Sequence, residues 1–433
     1  MRFNSLDAWL AWQATLNPAE IDLGLERIVD VLQRMGLSNQ FDCPLITVAG
    51  TNGKGSTLSM LESMASAAGL KVCCYTSPHI LVYNERFKIN GELVDDDSLC
   101  QAFERIDQAR GKIALTYFEF GTLAAIDLFM RAKPDLIIME IGLGGRLDAV
   151  NVMEPDVSVI TSIALDHTDW LGDNREDIAR EKAGIMREHK PTICGEMDAP
   201  ASLLELAQQK SADFFQLGQH YKAAHTSPDE WCLQSPIGSL QHLPLPALHG
   251  EFQIGNAATA IMALQSLASS LNILPDHIRQ GLLNVSLTGR FEKLHDRPLV
   301  IADVAHNPHA VASLVTQLQA EPVEGKTRVV IAMLADKPVD EVIVLLSTIT
   351  DFWYSAGLEA ETRGLPAQAM SSKIESMLDE NELLAQKPAD VKLCAERTVK
   401  AAIESVMREA DPEDRIVILG SFYTVAEATR YFS

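Results

Sequence analysis

The run Gly50-Thr51-Asn52-Gly53-Lys54-Gly55-Ser56-Thr57 contains the residue types that can hold a triphosphate. Glycines let successive backbone N–H groups turn inward around phosphate oxygens, and a lysine adds a cation that can reach the terminal phosphates. Its surroundings fit. The apolar run Leu45–Ala49 precedes it, and Leu58, Leu61, Met64, Ala65 and Ala68 follow at three- and four-residue spacing. Strand, glycine loop and helix therefore come in the order that phosphate binding requires. Gly55 separates the lysine from the hydroxyl residue, so the loop departs from the standard Walker A pattern. The bland alternative is a glycine-rich turn with an incidental lysine. Such a loop alone does not separate a ligase from a kinase, an ATPase or a switch, but the chain has no Asn-Lys-x-Asp for guanine recognition.

Two further residues fall where ligands sit in an open α/β sheet. Glu140 closes the apolar run Leu136–Ile141, and its carboxylate suits Mg2+. His167 follows the run Val157–Ile163 by a few residues and can reach the same edge. Structural uses remain open for both: Glu140 could pair with Arg146, and His167 could cap a loop. Ser77 could merely open a turn before Pro78.

The elements that must position these groups recur along the chain. Strand candidates Leu45–Ala49, Val72–Thr76, Leu136–Ile141, Val157–Ile163 and Thr192–Cys194 alternate with helical segments, which implies parallel β-α-β units with helices on both faces. From about Leu299 the alternation restarts, with Leu299–Val304, Arg328–Met333, Phe352–Ser355, Val391–Cys394 and Ile416–Leu419. At 433 residues the chain exceeds the roughly 250–300 that one core supports. Two domains are expected, a larger phosphate-loop domain over 1–287 and a smaller α/β domain over 288–433, with the boundary near Leu287-Thr288-Gly289-Arg290.

Composition narrows the partners. A net charge of −23 opposes non-specific binding to nucleic acid, so anions must be bound locally, by placed Lys, Arg or helix N-termini. Small-molecule substrates are favoured. The N-terminus, Met1-Arg2-Phe3-Asn4-Ser5-Leu6-Asp7, is too polar for a signal peptide, and no apolar run approaches the ~18 residues of a membrane span. Seven cysteines with no C-x-x-C pair suggest core thiols in a reducing cytoplasm.

The loop Gly50–Ser56 resembles the nucleotide loop of the Mur ligase superfamily, and other motifs resemble the folylpolyglutamate synthase branch. These are Leu23-Gly24-Leu25-Glu26-Arg27, Thr76-Ser77-Pro78-His79, Glu140 through Asp148, Asp166-His167-Thr168, Glu181-Lys182-Ala183-Gly184, Gly289-Arg290-Phe291 and Asp303 through Pro308. They occur in the family's order over most of the chain. The resemblance implies a Mur-ligase-like central domain with a parallel-dominated sheet and a smaller Rossmann-like α/β C-terminal domain. It also implies ATP-dependent ligation: ATP phosphorylates a carboxylate, and the amino group of glutamate then attacks the acyl phosphate. Dihydropteroate, tetrahydrofolate with its polyglutamates, and L-glutamate are the implied substrates, and a monomer is expected.

The same resemblance supplies residue roles. Thr51, Asn52, Gly53, Lys54, Gly55 and Ser56 would hold ATP together with Asn256, Arg290 and Asp303, and His306 would serve the γ-phosphate and glutamate region. Asn256 could equally be a helix N-cap. Ser77, Glu140 and His167 would hold Mg2+, two ions being expected, although histidine is an uncommon partner for that metal. Lys182 stands where the family carries a lysine carbamylated by CO2. From the residues alone it reads as a surface lysine paired with Glu181 or Asp177. The pterin-bearing acid would meet Asp22, Leu23, Gly24, Leu25, Thr76, Ser77, Pro78, His79, Thr116, Leu147, Asp148 and Ala149. For Asp22–Leu25 an ordinary helix start explains the pattern about as well, and for Phe118-Glu119 core packing with one satisfied carboxyl does. If ATP meets residues of both domains, the site is a cleft that closes.

Competing readings are a monofunctional folylpolyglutamate synthase, another Mur-type ligase, and a non-catalytic nucleotide switch. Val304 stands where many monofunctional members have glycine, and Ala164 through Gly172 resembles the bacterial bifunctional form. Both favour two activities.

Overall fold

The computed structural model describes residues 2–17, 21–359, 361, 363–380 and 392–433. The chain divides into two compact units. One comprises Met1–Ala247 with Gln253–Ser286, and the other Leu248–Phe252 with Leu287–Ser433.

Among the described residues, the main sheet of the first unit has eight strands: β1 (Leu45–Ala49), β2 (Val72–Tyr75), β3 (Phe87–Ile89), β4 (Glu92–Leu93), β5 (Leu136–Glu140), β6 (Val157–Ile160), β7 (Pro191–Cys194) and β8 (Asp213–Gln216). Their order is β4-β3-β2-β5-β1-β6-β7-β8, parallel from β2 to β8 and closed at one edge by the antiparallel β3 and β4. Every residue of β1, β2, β5 and β6 is buried, as befits strands covered on both faces. Alternate residues Leu45, Ala49, Cys73, Tyr75, Ile137 and Met139 share a cluster with Phe120, Leu123 and Ala124 of the helix Tyr117–Ala132. The helix Lys54–Ala67 packs against β1, β2 and β5. The chain leaves β1 toward β2 on one side and reaches β6 on the other, so β1 marks the reversal of strand order, where ligands bind at carboxyl ends.

The first unit also carries an antiparallel sheet that sequence patterning missed: β9 (Lys222–Ser227), β10 (Glu230–Gln234) and β11 (Leu240–Pro244). β9 is almost entirely exposed and so gives no apolar run to read.

In the second unit, β12 (Glu292–His295), β13 (Leu299–Asp303), β14 (Thr327–Ile331), β15 (Phe352–Ala356), β16 (Lys392–Glu396) and β17 (Arg415–Leu419) form a sheet in the order β12-β13-β17-β14-β15-β16. Only β12 is antiparallel. Alternation sorts its two faces. Ile301, Val329, Ile331, Val417 and Leu419 pack with Val311, Leu314, Ile343 and Leu346, whereas Val300, Val330, Ile416 and Ile418 pack with Ala402, Ile403 and Val406. The expected strand Val391–Cys394 is found as Lys392–Glu396, and Val391 lies outside the described residues. The architecture is α/β with parallel-dominated sheets, as expected.

Candidate active site

The phosphate loop leaves the carboxyl end of β1 and opens the helix Lys54–Ala67, with Gly53 at its N-cap in the left-handed region, φ 83°. That conformation favours glycine, and so does space: a Cβ there would lie 2.7 Å from Asn256 Oδ1. At Gly50 a Cβ would meet Thr161 Oγ1 at 1.9 Å. The loop is gripped by the segment after β6. Thr51 N donates to Ser162 O at 2.8 Å, Asn52 N to Ser162 Oγ at 2.9 Å, and Thr161 Oγ1 to Asn52 O at 2.6 Å. The sequence reading missed these partners, which stand about a hundred residues away.

Lys54 lies back over its own loop, donating to the carbonyls of Gly50 at 3.0 Å and Thr51 at 3.2 Å. Gly55 is the second residue of the helix, and the Ser56 hydroxyl is buried and accepts from Gln253 Nε2 at 3.4 Å. Asn256 does not cap a helix. It sits inside the helix Phe252–Gln265, and its Nδ2 donates to Gln253 Oε1 at 2.9 Å.

Glu140 ends β5 beside β2, where Tyr75 pairs with Met139 in register. The strands thus bring Ser77 to Glu140, and the Ser77 N–H donates to Glu140 Oε2 at 3.0 Å. Glu140 is 5% exposed, and Arg146 does not reach it, because Arg146 Nη2 pairs with Glu181 at 2.8 Å. Past Ser77 the loop is organised by Glu85, whose carboxylate accepts from the backbone of Ile80, Leu81 and Val82 at 2.7, 2.7 and 2.8 Å. Thr76 N donates to Arg86 O, and His79 Nδ1 accepts from Arg86 Nε at 3.0 Å. Pro78 follows a cis peptide bond.

His167 adopts φ 52° just before the short helix Thr168–Leu171, with Nε2 3.9 Å from Asp166 Oδ1. Its side chain caps nothing there. Lys182 closes the helix Arg175–Lys182 and is 3% exposed, so the surface-lysine reading fails. The acids that would have paired with it are taken: Glu181 by Arg146, and Asp177 by Arg180 at 2.6 Å. Burial pushes the Lys182 ammonium down to about 7, the Lys54 charge adds to this, and Asp166, Asp148 and Glu181 oppose it. Glycines let the loop after β5 approach this helix closely, since a Cβ at Gly145 would lie 2.7 Å from Glu181 O and 3.1 Å from Lys182 Cα.

The residue types would suit magnesium: the Glu140 carboxylate, bound by the Ser77 backbone N–H, and the Ser77 hydroxyl would offer oxygens, His167 would offer an imidazole, and Lys182 is buried with its ammonium destabilised. A neutral amine can add CO2, and the resulting carbamate is an anion with oxygens of the kind Mg2+ prefers. Among the described residues, no three His, Cys, Asp or Glu side chains converge to hold a metal. The set above draws only two members from those types.

Among the residues expected to meet the pterin-bearing acid, Asp148 is buried and organises its loop. Its Oδ2 accepts from Leu143 N and its Oδ1 from Val150 N, each at 2.9 Å. Burial pushes its carboxyl up to about 7, opposed by the backbone donors Leu143, Val150 and Gly142 and then by Lys54. Asp148 caps the turn Ala149–Val152, with Leu147 half-buried and Ala149 buried. Thr116 caps the helix Tyr117–Ala132 in a reciprocal box with Glu119. Asp22, Leu23 and Gly24 lead, half-buried, to Leu25, which stands at the N-cap of the helix Glu26–Arg34. The Phe118 ring lies over Gly142, where a Cβ would meet its Cζ at 2.6 Å.

In the second unit, Asp303 ends β13, and its carboxylate accepts from Phe291 N and Ala305 N, each at 2.8 Å. Burial raises its pKa above the usual carboxylate range, against the pull of Arg290 and these donors. The Arg290 guanidinium lies 5.6 Å from the centre of the Phe422 ring, and the His306 ring lies 6.3 Å from it. His306 Nδ1 donates to Val304 O at 2.8 Å. Phe422, which opens the helix Phe422–Phe432, was not singled out from the sequence, where nothing distinguishes it from a core aromatic.

Residues 48–264 match the Mur ligase middle domain, and residues 289–422 match the Mur ligase glutamate ligase domain. The chain is 42% identical over 422 residues, 97% of its own length and 94% of the relative's, to the dihydrofolate synthase/folylpolyglutamate synthase of Escherichia coli K12. It resembles the solved structure of E. coli FolC in complex with DHPP and ADP, with a TM-score of 0.90, 40% identity and coverage of 99% and 97%. A second similar structure is a bifunctional folylpolyglutamate synthase/dihydrofolate synthase with Mn, AMPPNP and L-glutamate bound, at a TM-score of 0.88, 41% identity and coverage of 99% and 98%. With a phosphate loop, a strand-end carboxylate and a buried lysine in one unit, and these likenesses over nearly its whole length, the chain belongs to the dihydrofolate synthase/folylpolyglutamate synthase family of Mur ligases.

Proposed function

We propose that this chain uses ATP to join L-glutamate to dihydropteroate, giving dihydrofolate, and to tetrahydrofolate and its polyglutamates. An acceptor carboxylate oxygen attacks the γ-phosphorus of ATP and ADP leaves. The glutamate amine then attacks the acyl carbon, loses a proton, and phosphate departs with the carboxylate oxygen.

In this reading Thr51 through Ser56 cradle the phosphates with backbone N–H groups, and the Lys54 ammonium turns from its loop carbonyls to the terminal phosphates. Asn256 contacts the adenine. Ser77, Glu140, His167 and carbamylated Lys182 would hold two magnesium ions. Bound there, magnesium would neutralise charge on phosphate and carboxylate oxygens. Arg290 is assigned to phosphate, Asp303 to the nucleotide and His306 to the glutamate region. Asp22–Leu25, Thr76–His79, Thr116 and Leu147–Ala149 bind the pterin-bearing acid. The protein is proposed to act as a monomer. Among the described residues no helix is long and apolar enough to cross a membrane, and all seven cysteines are free thiols, which fits the proposed cytoplasmic setting.

The observation that carries the reading is the Ser77–Glu140 contact, which lies beside the strand that feeds the phosphate loop. An ADP-release assay with dihydropteroate and glutamate, against each omitted, tests it. Release should require both. Release that ignores the acceptors would remove the ligase reading, and activity with tetrahydrofolate alone would leave a monofunctional enzyme.

A further inference from the structure

We propose that Arg27 is a positioning residue for the acceptor site, one that clamps the Asp22–Leu25 segment to the start of the helix Tyr117–Ala132 and so sets affinity for the pterin-bearing acid. The inference rests on the reading above that both segments face that acid.

The guanidinium bridges two carboxylates that lie far apart in the chain. Nη1 meets Asp22 Oδ2 at 2.8 Å, and Nε meets Glu119 Oε1 at 3.1 Å and Oε2 at 3.3 Å. Nη2 donates to the Asp22 carbonyl as well. Glu119 is not a loose surface acid. Its side chain is 4% exposed, and Oε2 also accepts from Thr116 N at 2.7 Å. Asn17 Nδ2 donates to Asp22 Oδ2 at 3.2 Å and to Ala114 O at 3.4 Å, tying the same two segments from the other side. One cation thus fixes Asp22, Glu119 and, through Glu119, the cap at Thr116. Only a planar fork of donors can hold these partners together, and a lysine ammonium on its flexible stem would have to choose among them. Arg27 has no assigned contact with phosphate, metal or nucleotide, so its loss should register in one substrate only.

The test is steady-state kinetics on three proteins: wild type, Arg27→Lys, and Arg27→Met combined with Glu119→Gln. The double variant leaves no buried carboxylate unpaired, and its new amide oxygen can still accept from Thr116 N, which protects folding. The KM for dihydropteroate should rise about tenfold or more in the double variant, and by less in Arg27→Lys, while the KM for ATP and kcat stay within about twofold. An unchanged dihydropteroate KM in Arg27→Lys, or an ATP KM rising in step with it, would overturn the proposal, the second by showing a general loss of structure. Failure of the ligase reading would appear separately, as wild-type protein that releases no ADP with dihydropteroate and glutamate, and it would take this proposal with it.

Discussion

The proposed nucleotide side and the proposed acceptor side of the first unit are built on different physics. Around the phosphate loop, position comes from backbone: glycines at φ 152° and 83°, N–H groups donating to Ser162, and a helix N-terminus. Around Asp22, Thr116 and Asp148, it comes from buried or half-buried charges that answer one another, Arg27 to Glu119 and Asp148 to its loop N–H groups. A backbone cradle recognises phosphate, which every nucleoside triphosphate shares. A cage of side chains can be tuned to one acceptor. Damage on the first side should therefore abolish turnover whatever the acceptor, and damage on the second should divide the substrates.

The largest expected effect is at Lys54. Lys54→Ala should lower kcat about 10³-fold with dihydropteroate and with tetrahydrofolate alike, while the thermal midpoint stays near wild type. Near wild-type turnover would break the comparison at its strongest point. Glu140→Ala should reduce both activities by the same factor, of order 10²-fold, and selective loss of one would mean separate centres.

Lys182 sharpens the nucleotide side through pH. With its ammonium held at about 7, lowering the pH protonates the amine and blocks CO2 addition, while raising it frees the amine. CO2-dependent activity should rise through pH 7, with about tenfold more free amine at pH 8 than at pH 6. An ordinary lysine would still be gaining free amine above pH 10. Lys182→Ala should be severely impaired and partly restored by small carboxylates. Full activity of that variant in CO2-depleted buffer would remove the carbamate.

The smallest effect is at Thr116. Thr116→Ala removes the oxygen that accepts from Glu119 N at 3.1 Å and should cost about 1 kcal/mol by denaturant titration. A modest rise in the dihydropteroate KM with ATP unaffected would place the cap on the acceptor side. An equal change in both would argue against that division.

The strand, glycine loop and helix around Lys54 could be read from residues alone, because they fall within one short stretch and each announces itself locally. The supports could not. Thr161 and Ser162 grip the loop from 109 and 110 residues away, and Arg27 finds Glu119 across 92. Such pairings are settled by topology, through the strand order that sets β6 beside β1. Lys182 shows how a local rule misleads: Glu181 and Asp177 are its natural partners by spacing, yet Arg146 and Arg180 take them and leave the lysine buried. Asn256 shows the reverse, a residue type that suits a cap but is used inside a helix against Gly53. The exposed β9 lacked the apolar alternation by which a strand is read.

The claim on which the rest depends is that ATP phosphorylates the acceptor carboxylate. Dihydropteroate labelled with 18O in both carboxylate oxygens should be turned over with ATP and glutamate, and the released phosphate analysed by mass spectrometry. The account predicts one labelled oxygen in each phosphate formed, carried over when the amine displaces the acyl phosphate. Unlabelled phosphate formed in step with amide product would contradict it.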